Sequence, residues 1–138
     1  MKQQIALLAD AVNLSQGWKL NVLGEFNVIF TEQVPVTYPL LWFAAKMECG
    51  MSDFGHHDVL LRIVDGNGDT VLPPLTGTLD LPAPPNYGGD FLYWPVMLQV
   101  GNATFPDFGT YTFELWVDTA TVAQAPLYVR ALQQATGV

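Results

Sequence analysis

The sequence predicts an all-β protein, an antiparallel β-sandwich of about seven to nine strands folded as one domain over residues 1–138. Three observations carry that prediction. Ten prolines and twelve glycines are spread along 138 residues and leave no window for a long helix. Apolar residues alternate with polar ones at a period of two. Turn-forming clusters separate these runs at short, regular spacing.

Taken in order, the strands are expected near 3–13, 19–30, 39–49, 57–65, 69–72 with 75–81, 91–100, 109–117 and 124–132. Ser15-Gln16-Gly17 separates the first two, and Asp65-Gly66-Asn67-Gly68-Asp69 makes a hairpin. Pro82 to Gly89 is too rich in breakers for sheet interior. Because successive strand side chains point to opposite faces, alternation assigns a core. Leu20, Val22, Gly24, Phe26, Val28 and Phe30 share one face of the second strand, opposite Lys19, Asn21, Glu25 and Asn27. The same rule turns inward Leu41, Phe43, Ala45 and Met47, then Val59, Leu61 and Ile63, and then Leu92, Trp94, Val96 and Leu98. Tyr111, Phe113, Leu115 and Val117 follow, with Leu127 and Val129 last.

Composition narrows the function classes. Half of the residues are hydrophobic and 13% are charged, against an ordinary charged share of about 25%. That combination excludes intrinsic disorder. Five Lys+Arg against thirteen Asp+Glu give a net charge of −8, which provides no basic face for nucleic acid. The uncharged stretches are too short and too interrupted for a membrane helix, which needs about 20 apolar residues, so no membrane insertion is expected. Lys2 followed by Ile5–Ala9 stops at Asp10, short of the roughly 7–15 apolar residues of a secretory signal. Asn13-Leu14-Ser15 and Asn102-Ala103-Thr104 are therefore read as chance sequons. The expected location is the cytoplasm, or a particle assembled inside the cell. Cys49, the single cysteine, is expected inward and inert.

Little in the chain points to catalysis, and neither an enzyme nor a cofactor is expected. Gly55-His56-His57-Asp58 is the one place where ligand-type residues cluster. Adjacent histidines on a strand diverge and do not share an ion. Asp65, Asn67 and Asp69 copy half of a calcium loop, but Thr70 and Thr76 stand where its glycine and bidentate glutamate belong, so at most weak divalent binding is expected there. No serine sits in a nucleophile-elbow setting.

Two resemblances add to this reading. Asp107-Phe108-Gly109-Thr110-Tyr111-Thr112-Phe113 resembles the start of strand F in immunoglobulin-like domains, where a tyrosine hydroxyl bonds back to the turn backbone. Phe113 stands in place of the antibody cysteine and Trp42 falls on the outer face, so the likeness implies an Ig-like architecture alone. Leu7–Asn13 with Lys19–Gly24, Arg62–Asp65 with Leu72–Leu75, and Phe105–Phe113 resemble a widespread domain-of-unknown-function family of small bacterial proteins. That likeness implies the all-β fold and transfers no site.

The strongest functional signal is the apolar character of the outward positions. Leu23, Ile29, Leu40, Trp42, Leu60 and Val64 fall opposite the assigned core, as do Phe91, Tyr93, Met97, Trp116 and Tyr128. Large apolar patches mark protein contacts, and Trp, Tyr, Phe and Met are enriched at interface cores. The sequence therefore predicts a structural or interaction module that forms a homo-oligomer or docks in a larger assembly, such as a virion, filament or secretion-type particle. Its expected contact residues are Trp42, Phe91, Tyr93, Met97, Trp116 and Tyr128. The alternatives are a small-ligand-binding sandwich or barrel with Tyr93 and Trp94 at a pocket, and, further off, a hydrolase or metalloenzyme.

Overall fold

The computed structural model describes residues 1–83 and 91–132. Its strands are β1 (Lys2–Ser15), β2 (Lys19–Phe26), β3 (Val28–Thr31), β4 (Val36–Cys49), β5 (Gly55–Val64), β6 (Leu75–Leu81), β7 (Leu92–Phe105), β8 (Gly109–Val117) and β9 (Ala120–Ala131), with a 3-10 turn at Met51–Asp53. They form two packed sheets, β2-β1-β4-β7 and β3-β9-β8-β5-β6. Every pair is antiparallel except β3 with β9. The protein is a β-sandwich, as its periodicity predicts. Among the described residues no helix is long and apolar enough to cross a membrane.

The core lies where alternation is strictest. Leu41, Phe43, Ala45 and Met47 of β4 face Tyr111, Phe113, Leu115, Leu127 and Val129, all buried. Phe43 and Phe113 stack across the sheets with ring centres 6.5 Å apart. Cys49 is fully buried, and that burial pushes its thiol pKa up. The Tyr111 hydroxyl donates to the Asp107 carbonyl (2.7 Å) and accepts from the Asp107 amide (3.0 Å), closing the turn before β8.

Several expectations need correction. The run 19–30 is not one strand: the chain leaves the four-stranded sheet after Phe26 and joins the five-stranded sheet at Val28. The crossing at Asn27 resets the phase of alternation, so Ile29 is buried at 8% exposure while Phe30, read as core, is 63% exposed. Val64 keeps its outward position, opposite Thr112, but is buried. The loop after it folds back, with a Val64–Thr70 bridge, a bond from the Val71 amide to the Ile63 carbonyl, and Arg62 donating to Thr70 and to the Gly68 carbonyl. Residues 69–72 accordingly form only that bridge, not a strand. β7 continues five residues past the expected end at 100. The loop expected at Pro82–Gly89 lies outside the described residues from 84 onward.

The β1–β2 hairpin departs most from a flat sheet. β1 pairs with β4 only as far as Ala9 with Trp42. Beyond that point Val12 and Leu20 pack with Ala9, Ala44, Trp42, Leu7 and Met97 in a second apolar cluster, separate from the main core. The hairpin tip brings Trp18 against Trp94 of β7, with ring centres 5.0 Å apart. The hairpin therefore bends out of its sheet and lies back over the sheet's outer face. The bend falls at Asp10 and Gly24, where Gly24 takes φ +70°. A side chain at 24 would also meet the Asp10 carboxylate, with Oδ2 2.6 Å from an added Cβ, so only glycine fits. Tyr38 donates to Asp10 at 2.5 Å and stacks on Phe26, fixing the bend from the β4 side. The hydrogen bond to Asp10, with burial and then the Asp10 charge adding to it, holds the Tyr38 hydroxyl protonated, its pKa pushed up to about 12.

Candidate interaction surfaces

The structure separates the expected contact residues into three places. Trp42 and Met97 lie on the outer face of the four-stranded sheet, half-buried against the returning hairpin. Ala9 and Ala44 beneath it are fully buried, and their small side chains let the hairpin approach closely. Phe91 and Tyr93 sit at the far end of β7, both exposed, in an edge-to-face pair 5.4 Å between ring centres. The Lys46 ammonium lies 5.6 Å from the Tyr93 ring centre.

Trp116 and Tyr128 share the outer face of the five-stranded sheet but do not meet. Tyr128 pairs with Thr110, six residues before Trp116 on β8, or about 20 Å along the strand. Between them runs the row Gln124, Glu114 and Arg62, with Arg62 Nη1 3.9 Å from the Glu114 carboxylate. Trp116 is half-buried in its row with Leu60 and Thr121, and its indole N–H donates to Glu114 at 3.3 Å.

Around Tyr128 the surface is open. Val28, Phe30, Tyr128, Arg130, Ala131 and Leu132 line a shallow groove of about 890 Å³ along the β3 edge. Phe30 and Leu132 are the most exposed apolar groups there. The Arg130 guanidinium stacks over the Tyr128 ring, 5.1 Å from its centre. Sequence reasoning missed Phe30 because one continuous strand over 19–30 puts it inside. The available signal was the pair of strand-weakening residues, Gly24 and Asn27, within that run.

The chemistry-bearing residues are engaged in structural bonds. His56 pairs with Asp80 across β6 (2.7 Å), whereas His57 pairs with Asp118 after β8 (2.8 Å), so the adjacent imidazoles diverge. The other nitrogen of His57 meets the Asp53 carbonyl at 2.5 Å. The Asp118 hydrogen bond chiefly, then that carbonyl, raise the His57 pKa against an opposing burial effect. The same bond and the Asp58 amide hold Asp118 below its ordinary value. Asp65 uses one carboxylate oxygen to accept from the Asn67 and Asp69 amides, which shapes the turn.

Compared with known proteins, residues 4–130 match the model of a family of unknown function. No curated protein and no solved structure matches the chain.

Proposed function

The chain belongs to DUF6941, a family of unknown function, and from its surface we propose that it is a non-enzymatic interaction module that joins a protein assembly through the β3–β9 edge of its five-stranded sheet. The observation that carries this reading is the groove of Val28, Phe30, Tyr128 and Leu132, which no described element covers. Leaving a Phe side chain in water forgoes a transfer term of roughly 1.5–3 kcal/mol, which a partner recovers. An aromatic anchor beside a cation stacked on a second ring matches the residue types enriched at interface hot spots. The strand orders support an Ig-like scaffold beneath it: β1-β4-β7 correspond to A-B-E, and β5-β8-β9 to C-F-G.

A photoreactive phenylalanine analogue placed at position 30, in cells that make the protein, tests this reading. A covalent adduct is expected at 30 and not at the exposed control position Thr78 on β6. Equal labelling at the two positions, or none at 30, overturns it.

A further inference from the structure

We propose that Asn67 is a site of spontaneous covalent modification, where the side chain loses ammonia through a cyclic imide formed with Gly68 and the turn built by Asp65 sets the rate. The site is independent of the contact reading and needs no reactant but water. Such a reaction requires a following residue with no side chain to crowd its nitrogen, and an asparagine amide that no partner holds. Of the six asparagines, Asn67 alone precedes glycine; the others precede Leu14, Val22, Val28, Tyr87 and Ala103. Asn67 and Gly68 are both exposed. Asn67 bonds through its main-chain amide to Asp65, while its side-chain amide has no hydrogen-bond partner among the described residues. A Cβ added at Gly68 would meet nothing within 4 Å, so the space around the attacking nitrogen is open.

The Gly68 nitrogen gives its proton to hydroxide and attacks the Asn67 side-chain carbonyl carbon. A C–N bond forms and closes a five-membered ring. The bond from that carbon to the side-chain nitrogen breaks, and the nitrogen takes up a proton and leaves as ammonia. Water then adds to one of the two ring carbonyls and opens the ring to aspartate or isoaspartate at position 67. Either product adds a negative charge beside Asp65 and Asp69, and isoaspartate also lengthens the main chain by one methylene.

The fold restrains this step without preventing it. The Gly68 amide donates to the Asp65 carbonyl at 3.0 Å, and the Asp65 amide donates to the Asp69 carbonyl at 2.9 Å. One Asp65 carboxylate oxygen accepts from the Asn67 and Asp69 amides, and Arg62 donates to the Gly68 carbonyl. The attacking nitrogen is therefore free only when the turn opens. Solvent-exposed hydrogen bonds of a turn lie at the low end of local stability, so that opening recurs in the folded protein.

The test incubates the full chain, folded, at neutral and at mildly alkaline pH and follows each asparagine by peptide mass spectrometry. The mass gain of deamidation is expected at Asn67, faster at the higher pH, while Asn13, Asn21, Asn27 and Asn102 keep their amides. That gain distinguishes the reaction from isomerisation at Asp65-Gly66, which leaves the mass unchanged. Asp65→Ala removes both carboxylate bonds and should speed conversion about fivefold or more, the net worth of a single hydrogen bond being roughly that factor. Arg62→Ala, which frees the Gly68 carbonyl, should act in the same direction. Chain unfolded in guanidinium should convert faster still, and thermal melts confirm that each variant is folded. An intact Asn67 in the folded chain, over the time in which the unfolded chain converts completely, overturns the site. Equal conversion at another asparagine overturns its selection. Conversion at Asn67 that neither variant accelerates overturns the control by the turn.

Discussion

Both sheets carry large apolar residues on their outer faces and deal with them differently. On the four-stranded sheet, Trp42, Met97 and Leu7 are covered by the chain's own β1–β2 hairpin, folded back at Asp10 and Gly24. On the five-stranded sheet, Val28, Phe30, Tyr128 and Leu132 stay open, with nothing in the described chain lying over them. The same pattern, a large apolar residue at an outward position, thus has two outcomes. What separates them is a bend elsewhere in the chain rather than the residue itself. An outward Trp or Met is evidence for a partner only after the chain's own reach has been considered.

The largest expected effect comes from breaking the bend. Gly24→Val puts a β-branched residue at φ +70° and drives its Cβ into Asp10. Strained backbone costs about 1–3 kcal/mol and steric overpacking about as much again, so a loss of about 3 kcal/mol or more is expected in urea unfolding. The hairpin should lift away, making Trp42 accessible to a soluble quencher in the folded state. A variant of wild-type stability with Trp42 still protected would mean that Gly24 does not govern the coverage.

That bend marks where sequence reasoning reached its limit. β4 and β8 were legible because their alternation is strict and both are central strands, paired on two sides. The inward set Phe43, Met47, Tyr111, Phe113 and Leu115 follows from parity alone. The hairpin's return was not legible, because it depends on one glycine's φ and on two alanines, Ala9 and Ala44, whose smallness matters only once something lies across them. β3 was hidden for a related reason. A chain that changes sheet between Phe26 and Val28 keeps its hydrophobicity and loses its phase, so Ile29 and Phe30 exchanged roles. The contact residues carry the same break in phase: parity puts Tyr128 outward, where it lies, but turns its neighbour Phe30 into the core, where it does not.

A second comparison is smaller and sharper. Ala44→Leu adds volume beneath the hairpin, where Ala44 has no exposed surface. It should cost about 1–3 kcal/mol, the usual penalty of overpacking. Gln124→Leu, at an exposed outward position of β9 on the other sheet, should change stability by no more than about 0.5 kcal/mol. Thermal or urea unfolding of the two variants side by side measures the difference. Equal effects would mean that the two outer faces are not distinguished by coverage.

The smallest expected effect is a pH dependence, and it comes from a tie that holds the start of β5 to two neighbours. His57 offers Nδ1 to the Asp118 carboxylate at 2.8 Å and Nε2 to the Asp53 carbonyl at 2.5 Å. Both partners are acceptors, and a neutral imidazole has only one N–H, so the folded state favours the doubly protonated ring. Around it stand the Asp118 carboxylate, which also accepts from the Asp58 amide, and the Asp53 carboxylate, which holds the Met1 amine at 3.3 Å. His56 faces away toward Asp80 and Asp58. With the folded pKa of His57 raised, its stabilising contribution is complete below the unfolded value of about 6.5 and is lost as pH rises through the folded value. Asp118 runs the other way: its folded pKa is lowered, so its contribution is present above the unfolded value of about 3.9 and is lost as pH falls through the folded one. The tie is therefore strongest on the acid side of neutrality. Melting temperatures measured from about pH 5 to 8.5 should fall across the upper part of that range for wild type and for His56→Gln, and should be flatter for His57→Gln. A His57→Gln variant with the wild-type slope would show that His57 is neutral in the folded protein, with one of its two hydrogen bonds unmade.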